Sequence, residues 1–92
     1  MRRRVYRSRL AAVIAVLRSI QAAPQSANVI SKRLHINYRT VTEDLNRLVE
    51  AGLASVSVSK GVRFYGCTTE GRRLLSKLDE CAKILEPLEV QI

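Results

Sequence analysis

The segment Asn28–Leu53, NVISKRLHINYRTVTEDLNRLVEAGL, decides the fold of this 92-residue chain. Ser26, just ahead of it, is a favourable N-cap for a short helix over residues 27–34. The break at residues 35–37 ends in an asparagine, which can cap a longer helix over residues 38–51. Two helices joined by a three-residue turn, with an apolar residue inside the turn, are typical of a helix-turn-helix.

The longer helix carries its apolar residues on one side. Val41, Leu45 and Leu48 follow the i, i+4, i+7 spacing of a core-facing stripe, and Gly52 is placed to end the helix. The residues on the opposite side are polar or charged: Arg39, Glu43, Asn46, Arg47 and Glu50, with Thr40 on the flank. The helix therefore presents a chemically varied outer face.

Further elements flank this motif. Residues 10–22 form a helix whose predicted core stripe is Leu10, Val13, Ile14, Leu17 and Ile20. In residues 53–65, apolar and polar residues alternate loosely on both sides of a Ser-Lys-Gly turn, which predicts a β-hairpin. A last helix is predicted over residues 69–86. The order α-α-α-β-β-α predicts a single winged-helix domain over residues 1–92. This domain is mainly α with a small β-hairpin, and it begins with a basic arm at residues 1–9.

The charge is unevenly distributed along the chain. Sixteen basic and eight acidic residues give a net charge of +8. Residues 1–42 hold nine of the basic residues and no acidic one, whereas residues 43–92 hold seven basic and eight acidic residues. A basic half in a small folded domain is expected for a protein that binds a polyanion, above all nucleic acid. The alternative is a solvated surface that keeps the protein soluble.

Other function classes find little support in the composition. Apolar residues make up 47% of the chain and charged residues 26%, as in a globular domain. The longest apolar run, residues 10–17, is far shorter than the about 20 residues of a membrane span, and Arg18 ends it too early for a secretion signal. Two cysteines and one histidine offer neither a metal site nor a catalytic arrangement. We expect a cytoplasmic, nucleoid-associated protein that is not an enzyme, with no cofactor, no metal and no indicated small-molecule effector.

Two motifs resemble a known family. Leu45, Leu48, Gly52 and Leu53 match the L-x-x-L-x-x-x-G-L pattern in the recognition helix of ArsR- and MarR-like winged helix-turn-helix regulators. The segment Tyr65–Gly71, YGCTTEG, is similar to the Y-x-L-T-x-x-G signature that closes their wing. In size and layout the chain resembles small archaeal winged-helix proteins that dimerise through a C-terminal helix. The resemblance implies a DNA-binding regulator.

The chain departs from that family at two positions. His35 stands where the turn usually has glycine, although histidine is among the residues that tolerate the left-handed conformation. Cys67 stands where the wing-closing signature has leucine. The ligand sets of the metal-sensing members are also missing, so a metal-sensing role is not expected.

The longer helix, over residues 38–51, corresponds to the recognition helix of this family. Its outer face carries side chains that can read bases. Arg39 can donate two hydrogen bonds to guanine, and Glu43 can accept one from cytosine. Asn46 can pair with adenine, and Thr40 suits a phosphate or a thymine methyl. Arg47 lies on the same face. The alternative is an ordinary solvated helix face.

Further DNA contacts are expected around this face. They are Lys32 and Arg33 on the second helix, Lys60 and Arg63 at the hairpin turn, and Arg2, Arg3 and Arg4 in the basic arm. The second-helix pair is expected on phosphates, and the wing pair and the arm on the minor groove or its phosphates. Solubility is the alternative role for the wing pair. Tyr38 either packs on the second helix or places its hydroxyl on a phosphate.

The last helix carries an apolar stripe of its own. Its residues are Leu74, Leu78, Cys81, Leu85 and Leu88, separated alternately by four and three positions. This is the a/d rhythm of a coiled coil, which predicts a homodimer; the alternative is a helix that covers its own core. Cys81, in the middle of the stripe, either packs as a reduced thiol or bridges to the same residue of a second copy.

Together these features predict a homodimeric transcription regulator that binds double-stranded DNA sequence-specifically, with the recognition helix in the major groove. Two alternatives stay open. One is an architectural protein that coats DNA with little sequence preference, and the other is a winged helix used for protein–protein contact. The base-capable side chains favour specific binding over coating, and the basic half argues against pure protein contact.

Overall fold

The computed structural model of the protein describes residues 8–85. Its elements, in chain order, are α1 (Arg9–Ala22), α2 (Ala27–Leu34), α3 (Tyr38–Glu50), β1 (Ala54–Ser59), β2 (Val62–Cys67) and α4 (Thr69–Leu85). The predicted order α-α-α-β-β-α, that of a winged helix, is confirmed. No helix within residues 8–85 has both the length and the apolarity to cross a membrane.

Side-chain caps define the two helices of the helix-turn-helix. The Ser26 hydroxyl accepts a hydrogen bond from a backbone N–H in the first turn of α2. The Asn37 side chain does the same for α3, at 2.8 Å from the Arg39 nitrogen. Between them, His35 ends α2 with a left-handed φ of 56° and donates its backbone N–H to the Ser31 carbonyl. These local bonds set the turn that orients α3.

Strands β1 and β2 form an antiparallel hairpin, the wing. Its register pairs Ala54 with Cys67 and continues to a two-residue turn at Lys60 and Gly61. That turn has φ values of 51° and 78°, as a type I′ hairpin turn requires. Strand β2 extends two residues beyond the predicted end at Tyr65, because the register still pairs these residues with the start of β1.

The core lies between α1, α2, α3, the base of the wing and the first half of α4. Its buried apolar residues are Val16, Leu17, Ile20, Ala27, Ile30, Val41, Leu45, Leu48, Ala54, Tyr65 and Leu75. The α3 stripe is therefore buried as predicted. The predicted core stripe of α1 includes Leu10, and this prediction is wrong because Leu10 is 59% exposed. Because the buried face of α1 is centred on Val16 and Ile20, Leu10 lies at its edge in the first turn.

Helix α4 docks tightly at its first turn. The Thr68 hydroxyl donates to the Gly52 carbonyl at 2.7 Å and accepts from the Gly71 N–H at 3.0 Å. Gly71 leaves no room for a side chain, since a Cβ there would lie 2.2 Å from the Leu53 carbonyl oxygen. The T-x-x-G part of the signature thus joins the end of α3 to the start of α4.

Candidate nucleic-acid interface

Helix α3 presents an outer face of polar and charged side chains. Arg39, Glu43, Asn46 and Arg47 are exposed, and Thr40 is half-buried. They point outward because the opposite side of the helix packs into the core. The base-reading candidates therefore share one accessible surface.

An ion pair between the buried Asp44 and the largely exposed Arg9 holds α3 against the first turn of α1. Asp44 is fully buried, and its two carboxylate oxygens accept hydrogen bonds from both terminal nitrogens of Arg9. These hydrogen bonds and the carboxylate charge raise the pKa of the Arg9 guanidinium above its ordinary value, and the charge of Glu43 adds to the effect. A buried charge that loses its partner is strongly unfavourable, so the pair fixes the position of α3 on α1.

Neither residue of this pair is predicted from the sequence as a structural contact. Arg9 is predicted from the sequence to end the basic arm, whereas it begins α1 in the structure. Asp44 follows Val41 by three residues and precedes Leu48 by four, so it has the spacing of a core position. That spacing is a usable signal for Asp44. No signal in the sequence marks Arg9 as its partner.

A groove of about 520 Å³ lies between the helix-turn-helix and the wing. Polar groups on its walls come from Ser26, Asn28, Tyr38, Thr42 and Arg63. The backbone of Tyr65 exchanges two hydrogen bonds with that of Gln25, at 2.8 and 3.0 Å, which holds the wing beside α2. Tyr38 is 56% exposed, so it does not pack fully on α2. Residues with hydroxyls from the helix-turn-helix and a residue with a guanidinium from the wing therefore line the groove.

Six exposed cations lie on the outer face of α3, on α2 and on the wing. They are Lys32 and Arg33 on α2, Arg39 and Arg47 on α3, and Lys60 and Arg63 on the wing. The ion pairs within residues 8–85 are Arg9–Asp44, Arg18–Asp79 and Arg73–Glu70. None of the six cations takes part in these pairs, and they outnumber the exposed acidic residues Glu43 and Glu50 of α3, so this surface is net positive. The predicted contacts Arg2, Arg3 and Arg4 lie outside the described residues.

The apolar stripe of α4 is only partly covered in the single chain. Leu74 is 36% exposed, and Cys81 is exposed as well. Leu78 and Leu85 are half-buried, and Leu88 lies outside the described residues. Much of the predicted seam thus faces solvent.

Helix α4 covers the core with a different edge. Leu75, which is not part of the predicted stripe, is fully buried, whereas Ile84 beside the stripe is 71% exposed. The apolar surface of α4 is therefore wider than its own core requires.

The two cysteines are free thiols in different surroundings. Cys67 is half-buried at the end of β2, and burial raises the pKa of its thiol. Cys81 is exposed on α4. Among residues 8–85, no three His, Cys, Asp or Glu side chains come together as a metal site would require.

Known proteins share this architecture. A family model described as winged helix-turn-helix matches residues 6–86. A candidate DNA-binding protein from Ralstonia eutropha is similar to this chain, with 31% sequence identity and a TM-score of 0.63. The alignment covers 73% of this chain and 93% of that protein. No curated protein matches the chain in sequence.

Two longer proteins have the same fold. A MarR family protein from Bacillus stearothermophilus aligns with 16% identity and a TM-score of 0.67, over 82% of this chain and 58% of its own. Streptococcus pneumoniae FabT, solved in complex with DNA, aligns with 23% identity and a TM-score of 0.67, over 88% of this chain and 61% of its own. This chain therefore spans about three fifths of the length of either protein. The element order, the match over residues 6–86 and the 31% identical relative show that the chain belongs to the winged helix-turn-helix family.

Proposed function

We propose that this protein is a homodimeric transcription regulator that binds double-stranded DNA sequence-specifically, with α3 in the major groove and the wing on the flanking backbone or the minor groove. The observation that carries the proposal is the set of six exposed cations around α3, none of which pairs with an acidic residue within residues 8–85. A duplex with closely spaced phosphates is the partner that such a charge distribution fits. The DNA complex of FabT, which has the same fold, supports this choice of partner.

The outer face of α3 favours sequence reading over uniform coating. Arg39 lies in the first turn of α3, and the N-terminal part of a recognition helix is the part that contacts base edges. Its guanidinium can donate to O6 and N7 of guanine, and Glu43 and Asn46 further along the same face can read cytosine and adenine. Thr40 and Arg47 share a stripe with Asp44 at the edge of this face and suit phosphates. A protein that only coats DNA needs the cations, but it does not need the base-reading side chains of Glu43 and Asn46.

The groove between the helix-turn-helix and the wing suits the sugar–phosphate backbone. Ser26 and Tyr38 bring hydroxyls from the helix-turn-helix, and Arg63 brings a guanidinium from the wing. Lys60 extends the positive charge to the tip of the wing. These groups donate hydrogen bonds to phosphate oxygens without reading sequence, so they position α3 on the duplex.

A second copy of the chain is the proposed occupant of the α4 stripe. The stripe keeps the spacing of a coiled-coil seam from Leu74 to Leu85, and Leu88 continues it beyond the described helix. Leu74 and Ile84 are apolar side chains that a single chain leaves in water. A symmetric dimer would bury them and present two copies of α3 to two half-sites.

Arg39→Ala is expected to weaken binding to the preferred site by about 1–3 kcal/mol and to relax the preference at one base position. Lys60→Ala is expected to weaken binding to all sequences alike, because a phosphate contact carries no sequence information. The two variants are a matched pair, since each removes one exposed cation. Selection from a random duplex pool identifies the preferred site. Fluorescence anisotropy then measures the affinity of the wild type and of each variant for that site and for a scrambled duplex.

The coating alternative predicts a different outcome of the same experiment. No preferred sequence emerges from the pool, and Arg39→Ala weakens binding to both duplexes equally. The protein-contact alternative predicts no binding to any duplex.

A further inference from the structure

We propose that the outer edge of strand β1 is a second self-association surface, through which the wings of two copies pair antiparallel and form one continuous sheet. This surface is separate from the α4 seam and from the outer face of α3. The proposal therefore goes beyond the proposed function, and pairing of the wings does not require DNA.

Strand β1 has one edge without a neighbouring strand. Its other edge pairs with β2, and β2 is joined in turn to Gln25, because Tyr65 exchanges two backbone hydrogen bonds with that residue. Val56–Tyr65 is therefore a non-hydrogen-bonded pair of the hairpin, and so is Val58–Arg63, the next pair but one. The N–H and C=O groups of Val56 and Val58 consequently point away from β2. No backbone group within residues 8–85 bonds to them on that side.

This edge lacks the features that commonly prevent edge-to-edge pairing. Strand β1 has the sequence ASVSVS, which contains no charged residue and no proline. Val56 and Val58 lie on the same face of the strand and are 45% and 66% exposed. An exposed strand with free backbone groups and apolar side chains is suited to pair with another extended strand.

The sequence of the strand identifies a second copy as the partner. Residues 55–59, SVSVS, read the same in both directions about Ser57. If Ser57 lies on a two-fold axis, Val56 of one copy lies opposite Val58 of the other, and Ser57 lies opposite the same residue. The outward backbone groups of Val56 and Val58 then bond to each other, and the valines of both copies form one apolar cluster. This self-complementarity is what a symmetric contact between identical chains requires.

The charges of the wing do not oppose this pairing. Lys60 lies in the turn, three residues from Ser57, so the two copies of Lys60 lie at opposite ends of the contact, about 20 Å apart. Arg63 lies on β2, one strand away from the junction. Like charges are therefore not placed opposite each other across the new pair of strands.

The contact is small, so it adds to another association rather than replacing it. One strand from each copy is far less than the about 20–30 residues a side of a stable interface. The α4 seam, which is part of the proposed function, supplies a different two-fold contact. A chain with two different two-fold contacts links dimers into rows.

Disulfide trapping tests the register of the paired strands. Ser57→Cys and Ser55→Cys are each made in a Cys81→Ser background, which removes the exposed thiol of α4. The two positions are matched, because both are exposed serines on the same face of β1. In the proposed register the Cα atoms of the two copies are about 4.5 Å apart at position 57, within disulfide range, and about 14 Å apart at position 55.

Oxidation of the free protein at high concentration is expected to link Ser57→Cys into a covalent dimer at least about tenfold faster than Ser55→Cys. Adding Val56→Lys and Val58→Lys to Ser57→Cys is expected to remove this advantage, because like charges then lie opposite each other. Circular dichroism checks that each variant is folded, and the comparison of the two cysteines stands without the lysines.

Equal rates for Ser57→Cys and Ser55→Cys overturn the proposal, as does a folded lysine variant that is linked as fast as Ser57→Cys alone. An extended peptide of another protein would then be the alternative partner of this edge. Because the experiment contains no DNA, a failure to bind any duplex would overturn the proposed function and leave this result unchanged.

Discussion

Replacing Gly71 by alanine is expected to lower the free energy of unfolding by about 3 kcal/mol or more, as severe overpacking does. The added Cβ would lie 2.2 Å from the Leu53 carbonyl oxygen and 2.8 Å from the Cys67 sulfur. The first of these atoms belongs to the backbone, so α4 must shift away from the end of α3. The sign of the change in the free energy of unfolding distinguishes this steric effect from helix propensity. Without a clash, alanine in place of glycine within a helix stabilises by about 1 kcal/mol.

Gly66→Ala is the matched control for this substitution. A Cβ at Gly66 meets its nearest atom, the Ser55 hydroxyl oxygen, at 3.6 Å, which is an ordinary contact. Its φ is not positive, so alanine is expected to be neutral or to stabilise by about 0.5 kcal/mol through the unfolded state. Urea unfolding followed by circular dichroism measures both variants. Equal stability of the two would contradict the tight joint between Gly71 and Leu53.

The double substitution Leu74→Glu and Ile84→Glu is expected to convert the proposed dimer to a monomer. The substitutions would place unpaired carboxylates in a surface that the proposed dimer removes from water. The fold should persist, because both residues are substantially exposed in the single chain. Affinity for a duplex with two half-sites is expected to fall about hundredfold or more, since the two recognition helices no longer bind together. Sedimentation equilibrium and anisotropy measure the two effects.

Ser76→Glu provides the control, because it adds one glutamate to an exposed position of α4 on the side away from the stripe. It should leave the dimer intact. Cys81→Ser should also leave it intact, because Leu74, Leu78 and Leu85 still form the seam. Non-reducing electrophoresis of the wild type beside Cys81→Ser shows whether a disulfide adds to the association. A dimer that survives both glutamates would show that α4 is not the interface.

Local signals made the centre of the fold predictable from the sequence. Ser26 and Asn37 are capping residues, and the structure uses both of them as caps. Val41, Leu45 and Leu48 have core spacing within one helix, and all three are buried. The outer face of α3 follows directly, because a helix that buries one side must expose the other.

Contacts between distant elements were not predictable in the same way. The Arg9–Asp44 pair joins residues 35 positions apart, and no local pattern specifies that Arg9 in the first turn of α1 reaches Asp44 on α3. Leu10 matches the predicted periodicity of α1, but the direction from which the other elements pack leaves it exposed. On α4, both Leu74 and Leu75 are plausible core residues by spacing. Leu75 follows Gly71 by four residues and therefore lies on the side of α4 that packs against Leu53, so Leu75 is the residue that is buried.

The salt dependence of duplex binding tests most directly whether the cations around α3 bind phosphates. Affinity is measured by anisotropy at constant pH over a range of monovalent salt, for the wild-type protein. If a dimer neutralises about six to ten phosphates, log K against log salt has a slope of about −5 to −9. Lys60→Ala should reduce the magnitude of that slope by about 0.9 per protomer, because one phosphate contact is lost. A slope near zero for the folded protein would contradict nucleic-acid binding by this surface.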